Sequence, residues 1–542
     1  MNSETNSKVL RPDLKIQLNQ LEKDLFKILL DANDASNCKS TLRVAGGWVR
    51  DKILGKESHD IDIAIDNMTG YDFAVNISPY LLEHGGDPSH LGRIKANPEK
   101  SKHLETTRLM IYGTWIDLVN LRAEQYTNHS RIPTITIGTP REDAFRRDLT
   151  INALFYNINL EVVEDFTELG VLDLFNNYIR TPLEPLITFL DDPLRILRCV
   201  RFAGRFGFKV DDAIFNQGND RRVRDALKEK VSDERKGLEI YTAFNYPYPS
   251  AYICMKYLYQ LKLLQVVLPA YQNISIPLDK KFSQLSPDYF NEKKCLYKFY
   301  EESELIPIYK DKNVNLDSDE PGRIEKLEYI HNLQSCFPAV IDVMKPYKDY
   351  SSIYEDCHMY MSMASFFSVF SYMFIPANSG TVPLITAYLR DQLKYKTLFS
   401  GNITLITHLA PLFSQFFMND IFPKTDVGDY IFTLKELWPI VAEFSLYDYL
   451  YINKDNVNTS EVVSKFILFI QNIQESSLQQ IWTLPPPVNG SELVSLGFKR
   501  GPMLKYPVRF IKIWMIENPH GTSDQCKAAL KEYLREHHEY GK

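Results

Sequence analysis

Hydrophobic and polar residues follow two different rhythms along this chain. In LNQLEKDLFKILLDA (18–32) apolar residues return every three or four positions, which predicts an amphipathic helix. TLRVAGG (41–47) reads as a short strand ending in a glycine pair, and WVRDKILG then opens a helix. HDIDIAID (59–66) alternates with the period of two that a half-buried strand requires. TTRLMIYGTWIDLVNLR (106–122) predicts two strands around a turn at Gly113. Strands interleaved with helices indicate an α/β or α+β unit. Past about residue 180 the rhythm changes: PLRILRCVRFAGRFGF, AYICMKYLYQLKLLQVVL (251–268) and SKFILFIQNIQ (464–474) all carry helical spacing. Strand-like alternation largely disappears there. NVNLDSDEPG (313–322) and LPPPVNG (484–490) read as loops or boundaries, and no internal repeat is present.

One uncharged apolar run, MYMSMASFFSVFSYMFIPA (359–377), approaches the ~20 residues of a membrane span. It carries four Ser and two Tyr, whose hydroxyls lipid would leave poorly served. A buried helix in an all-helical region is therefore expected, with no membrane partner. Lys plus Arg is 62 against 69 Asp plus Glu, a net charge of −7. That balance argues against a surface that coats polyanions everywhere, yet permits a local basic site. With 542 residues the chain is long enough for three or four packing units at ~100–200 residues each. Seven Cys form no C-x-x-C pair, and eleven His form no H-E-x-x-H, which argues against disulfide scaffolds and zinc sites. A reducing compartment fits, and cytoplasmic or nuclear placement is expected. The start, MNSETNSKVLRPDLKIQL, has no apolar signal core and carries Glu4 and Asp13, so it does not support a mitochondrial form.

The candidate chemistry lies in the first half. Gly46 and Gly47 follow a strand and open a helix, a place where backbone amides can approach a ligand and where helix ends favour anions. Arg50 adds a forked cation suited to phosphate. In a strand, residues two apart share a face, so Asp60 and Asp62 project together while Ile61 and Ile63 enter the core. Two carboxylates on one rigid face form a hard-oxygen site for Mg²⁺. Asp317-Ser318-Asp319 repeats the pattern in a loop and is given no role. A further strand, Trp115-Ile116-Asp117-Leu118, offers a third carboxylate. Arg195, Arg198, Arg201, Arg205 and Lys209 are spaced to lie near one helical stripe, which an exposed basic face would explain.

The order of strand, glycine pair, helix and D-x-D strand resembles the nucleotidyltransferase superfamily of the DNA polymerase β type. Within it, these segments resemble the first motif of class II tRNA nucleotidyltransferases, the CCA-adding enzymes. Arg146-Arg147-Asp148-Leu149-Thr150-Ile151-Asn152-Ala153 is similar to their R-R-D-x-T-x-N-A motif. Asp191-Asp192-Pro193-Leu194-Arg195 resembles E-D-x-x-R, with Asp191 in place of Glu, and Glu234-Arg235-Lys236-Gly237-Leu238-Glu239 resembles E-R-x-x-x-E. Segments 124–131 and 132–145 look like the flexible loop of the fungal members, implicated in the switch to A addition. Leu493–Pro519 resembles their tail segment, although Arg500-Gly501-Pro502 lacks the first Pro of the Pro-Gly-Pro turn and Lys505-Tyr506 replaces a later Leu-Gly. The resemblance is dense from about 41 to 268 and weak again from about 490 to 540.

The resemblance implies a small mixed-sheet α+β head (1–165), a helical neck (166–275), a helical body (276–440) and a helical tail (441–542), in a curved, elongated molecule. It implies Asp60 and Asp62 as ligands of two Mg²⁺ ions, with Asp117 as third acid. Arg147, Asp148 and Asn152 would hold phosphate, ribose or the neighbouring helix. Asp192 and Arg195 would read the incoming base, Arg198 and Arg201 would help hold the nucleotide, and Glu234, Arg235 and Glu239 would brace the site. The donor inventory suits that assignment: a carboxylate accepts from the exocyclic amine of cytosine or adenine, and a guanidinium donates to their ring acceptors. Uracil and guanine would leave buried groups unpaired. The implied activity is addition of C, C and A to the 3′ end of tRNA from CTP and ATP, with no DNA partner. Alternatives are an enzyme adding only CC or only A, a poly(A) polymerase of the same class, and a non-catalytic RNA-binding descendant. The last predicts eroded carboxylates, whereas Asp60, Asp62, Asp192 and Arg195 are all present.

Overall fold

The computed structural model describes residues 9–85, 92–94, 106–127, 130–269, 275–277, 305–307, 320–348, 353, 356–371, 373–376, 381–419 and 421–541. The chain divides into two compact units, one formed by Met1–Ala243 and Pro249–Val267, the other by Phe244–Tyr248 and Leu268–Lys542.

The first unit opens with β1 (Leu10–Arg11), α1 (Gln20–Ala35), β2 (Leu42–Ala45), α2 (Gly47–Ile53), β3 (Ile61–Ile65) and α3 (Gly70–Glu83). Then come β4 (Gly92–Ile94), β5 (Thr106–Ile111), β6 (Thr114–Asn120), β7 (Arg122–Thr127) and β8 (Ser130–Ile137). α4 (Pro140–Phe145), β9 (Phe155–Asn157) and β10 (Val162–Glu164) complete the head. Eight strands form one sheet in the order β1-β10-β9-β2-β3-β6-β5-β4. All its pairs are antiparallel except β3 with β6, which run parallel in register Asp62 to Asp117. β7 and β8 form a separate hairpin.

Local sequence explains these elements. An Asn19–Glu22 capping box starts α1. The buried Glu22 then serves two further groups on α2, accepting from Trp48 Nε1 at 3.0 Å and pairing with Lys52 Nζ at 3.0 Å. In β3 the alternation buries Ile61, Ile63 and Ile65 and leaves Asp60 exposed and Asp62 half-buried. The turn expected at Gly113 is the β5–β6 connection, with Gly113 at φ +73°.

Helices take over after α5 (Gly170–Phe175), β11 (Tyr178–Ile179) and α6 (Pro185–Asp191). α7 (Leu194–Phe206) ends at Gly207 in the left-handed conformation, followed by β12 (Lys209–Val210), which pairs with β11. α8 (Asp212–Gly218), α9 (Arg221–Lys230), α10 (Asp233–Asn245), α11 (Ser250–Gln260) and α12 (Leu264–Val267) follow. α7 and α11 pack so closely that a Cβ on Gly204 would stand 2.4 Å from the Ser250 carbonyl oxygen.

The second unit is built on helices such as Glu320–Cys336, Thr397–Met418, Trp438–Ile452 and Thr459–Glu475. It differs from the all-helical expectation in one respect. Leu305–Pro307, Ser275–Pro277, Phe374–Pro376 and Thr381–Pro383 form a four-stranded sheet. Strands of three residues are too short to show a period. The apolar run at 359–377 likewise does not stay helical: helix Cys357–Phe367 stops before strand Phe374–Pro376. Its serines are satisfied within the helix, Ser365 Oγ donating to Met361 O at 2.6 Å and Ser362 Oγ to His358 O at 2.7 Å. Among the described residues no helix is long and apolar enough to cross a membrane. Asp317-Ser318-Asp319 lies outside the described residues.

Candidate active site

Parallel pairing of β3 and β6 sets Asp62 beside Asp117, and Asp60 stands at the entry to β3. Carboxylate oxygens of Asp60, Asp62 and Asp117 all lie within 4.8 Å of one another. Burial pushes the Asp62 carboxyl up, the charges of Asp60 and Asp117 push it further, and it reaches about 6 despite the opposing pull of Arg147 and Arg122. Hard oxygens forced together at this cost suit a divalent cation, whose charge relieves the repulsion. The three acids named from sequence are thus brought together.

A cavity of about 200 Å³ adjoins the cluster and is lined by Asp62, Asp117, Arg122, Asp143, Arg146 and Arg147 among others. Its organiser is Asp143, which lies in the 132–145 segment but had no role assigned from sequence. This buried carboxylate takes Arg146 Nε at 2.9 Å and Arg147 Nε and Nη2 at 3.0 and 2.9 Å, and accepts from the Arg122 backbone N–H at 3.3 Å. Burial alone would raise its pKa, but the two guanidinium charges win and lower it. Arg122 was missed as well. Its signal was available, since it ends the strand-like run that carries Asp117.

The glycine pair is shaped by the protein itself. Gly46 has φ +71°, its N–H donates to Leu154 O at 2.9 Å, and a Cβ there would meet Arg147 Nη1 at 2.6 Å. Glycine here admits the Arg147 side chain, which also donates to Asn152 O at 3.0 Å. A Cβ on Gly47 would stand 3.6 Å from Arg50 Nη2. Arg50 is buried, held by Asp51 at 2.8 and 2.9 Å and by Asn152 Oδ1, and stacked over Phe202 and Phe206 at 5.2 and 4.9 Å. Its fork is engaged within the protein, as expected of a brace between α2, the Asn152 segment and α7.

In the R-R-D segment Thr150–Asn152 forms one 3₁₀ turn, and Asp148 and Asn152 are buried. Asp148 accepts from Asn152 Nδ2 at 3.1 Å and from Arg198 Nε at 2.6 Å. Burial would raise its pKa, yet the Arg198 charge and these hydrogen bonds hold it down at about 2.

The arginines of α7 do not form the exposed basic face that their spacing allowed. Arg195 and Arg201 are buried, and Arg198 and Arg205 are engaged by carboxylates. Glu239 accepts from Arg201 Nε at 2.5 Å and pairs with Arg198 at 3.7 Å, while Arg205 reaches Asp51 at 3.3 Å. Lys209 is the exposed member, beyond the helix in β12. Asp192 ends α6, accepting from Leu194 N at 3.1 Å and from Arg235 Nη2 at 3.2 Å. Two of the three charged residues named on α10, Arg235 and Glu239, therefore contact the α7 region, whereas Glu234 is exposed. Seven side chains link into one chain of contacts: Arg205, Asp51, Arg50, Asn152, Asp148, Arg198 and Glu239.

Residues 42–180 match the model of the Poly A polymerase head domain. The chain is 33% identical to a protein of Candida glabrata named CCA tRNA nucleotidyltransferase, mitochondrial, over 96% of this chain and 97% of that one. It is 31% identical to the Saccharomyces cerevisiae protein of the same name, over 98% and 97% of the two chains. A solved CCA-adding enzyme in complex with CTP shares the fold at a TM-score of 0.57 and 18% identity, covering 95% of this chain and 96% of that one. Full-length likeness to such relatives, with the acidic cluster and ordered motifs in place, shows that the chain belongs to the CCA tRNA nucleotidyltransferase family.

Proposed function

We propose that this protein adds C, C and A to the 3′ end of tRNA, drawing on CTP and ATP and releasing pyrophosphate. The observation that carries the reading is the convergence of Asp60, Asp62 and Asp117 within 4.8 Å beside an arginine-lined cavity, in a chain of this family. The tRNA 3′-hydroxyl attacks the α-phosphate in line, a phosphodiester bond forms, and the bond to pyrophosphate breaks.

Asp60 and Asp62 would hold two Mg²⁺ ions, with Asp117 completing the set. Bound there, Mg²⁺ would supply Lewis acidity at the attacking hydroxyl and the leaving oxygen. Every other contribution comes from the chain itself. Asp143 fixes Arg146 and Arg147 against the cavity where the polyphosphate charge is to be met. Asp192 and Arg195 serve as the base-reading pair: Asp192 is held in place by Arg235, and Arg195 is buried at the start of α7. Gly46 admits Arg147 to the cavity wall, Gly47 begins α2, Arg50 ties α2 to Asn152, and Asp148, Asn152, Arg198 and Arg201 hold α7 beside the nucleotide through the contacts described above. Glu234, Arg235 and Glu239 brace it from α10. Positions 1–165 act as catalytic head, 166–275 as neck, 276–440 as body and 441–542 as the tail that contacts tRNA. The fungal relatives named above are called mitochondrial. For this chain, placement in the cytoplasm or nucleus rests on its seven scattered cysteines, which form no C-x-x-C pair in the sequence.

The test is pyrophosphate release. Purified protein with Mg²⁺, CTP and ATP should release it only when given tRNA that lacks its terminal CCA. Release without such an acceptor, or none with it, refutes the reading.

A further inference from the structure

The sheet brings a cation to the acidic cluster that no motif contains. Reading across the strands, Asp62 is opposite Asp117, Asp117 is opposite Arg108, and Arg108 is opposite Gly92. These residues share one face, so a guanidinium is registered directly onto the row of carboxylates. The contact is two-pronged: Arg108 Nε reaches Asp117 Oδ1 at 2.9 Å and Nη2 reaches Oδ2 at 3.3 Å. The guanidinium also lies over the Trp115 ring at 5.8 Å. Both oxygens of Asp117 are therefore engaged, by a side chain that is 46% exposed. On the outer side its neighbour across the strands is Gly92, which carries no side chain.

A divalent cation among Asp60, Asp62 and Asp117 needs an oxygen of Asp117 and repels a guanidinium beside it. We propose that Arg108 is a positioning residue that holds Asp117 until a divalent cation takes it over, so that cation entry and Arg108 release are one exchange. This rests on reading the cluster as a cation site. Arg108 fixes the Asp117 rotamer and offsets part of the repulsion, and the protein thereby binds bare cations more weakly than its carboxylates alone would. It follows that removal of Arg108 tightens cation binding, whereas removal of a residue with only a structural part in the fold loosens it or leaves it alone.

The experiment measures Mn²⁺ binding to the full chain by the electron-spin signal of the free ion, with no nucleotide or RNA present. Arg108→Ala should bind Mn²⁺ about three- to tenfold more tightly than the unaltered protein, the range set by a half-exposed, two-pronged ion pair. Arg108→Lys, which keeps the charge but loses the fork, should fall between them and serves if the alanine variant folds poorly. In an Asp117→Asn background the gain should vanish, as a double-mutant cycle requires. Equal or weaker binding by Arg108→Ala overturns the proposal while leaving the cation site standing, and so does a gain that survives Asp117→Asn. Absence of Mn²⁺ binding in both unaltered and Arg108→Ala proteins overturns the cation site itself.

Discussion

Replacing Asp62 by Asn should stabilise the first unit while removing its activity. The Asp62 carboxyl is raised from 3.8 to about 6, by burial first and by Asp60 and Asp117 next. A shift of roughly two units at about 1.4 kcal/mol each amounts to about 3 kcal/mol of cost when the group ionises. Because the three acids share the strain and the group is half-buried, about 1–3 kcal/mol is expected from neutralising this one. For a unit of this size that corresponds to roughly 3–10 °C in Tm. The sign follows from linkage: the folded pKa lies above the unfolded one, so the penalty is fully present above pH ~6 and gone below pH ~4. Asp62→Asn should therefore melt higher than the unaltered protein at pH 8 in EDTA, and the two should converge as the pH falls through 6 to 4. Adding Mg²⁺ at pH 8 should raise the unaltered protein toward the variant and leave the variant nearly unmoved. Scanning calorimetry of the full chain reads all three. A variant that is no more stable at pH 8, or a gain that ignores pH, would refute the electrostatic account of this cluster.

Further outcomes are expected elsewhere. Asp148→Ala removes the 2.6 Å partner of Arg198, leaving it Glu239 at 3.7 Å and the charge of Asp192, and should cost about 2–4 kcal/mol, read by urea unfolding. Gly46→Ala forces a side chain at φ +71° against Arg147 and should lower both stability and kcat/KM by displacing that guanidinium. Burial lowers His331 and His408 from 6.5 to about 4 each, so both are neutral when folded and the unfolded chain takes the proton first. Stability of the second unit should fall as pH drops from about 6.5 to 4, by up to about 3 kcal/mol per residue, and His408→Gln should blunt the loss in denaturant titrations at pH 7.5 and 5. Arg195→Ala should let UTP and GTP be misused more than it weakens tRNA binding, and unchanged selectivity would count against its base-reading role.

What could be read from sequence was whatever a local period carries. The alternation of β3 placed Asp60 and Asp62 on one face, and the strand pattern around Asp117 supplied the third acid. The partners of the arginines on α7 could not be read that way. Asp148 lies fifty residues before Arg198, and Glu239 lies thirty-eight after Arg201, so only the tertiary fold shows that an apparent basic face is neutralised. The same holds for Arg50, whose fork the fold sets against Asn152 from a distant part of the chain. Arg108 was within reach: with the turn at Gly113 fixed, pairing Ile111 with Thr114 and counting outward sets Arg108 opposite Asp117. The net charge of −7 is compatible with work on RNA because the cations near the catalytic cluster are placed one by one.

The central claim is tested most directly by sequencing products. The protein is incubated with tRNA ending at the discriminator base, Mg²⁺, and CTP, ATP or both. Growth by two C with CTP alone, and by C, C and A and no further with both nucleotides, is the result predicted. Extension past CCA into an A-tail, or arrest at CC with ATP present, would contradict it.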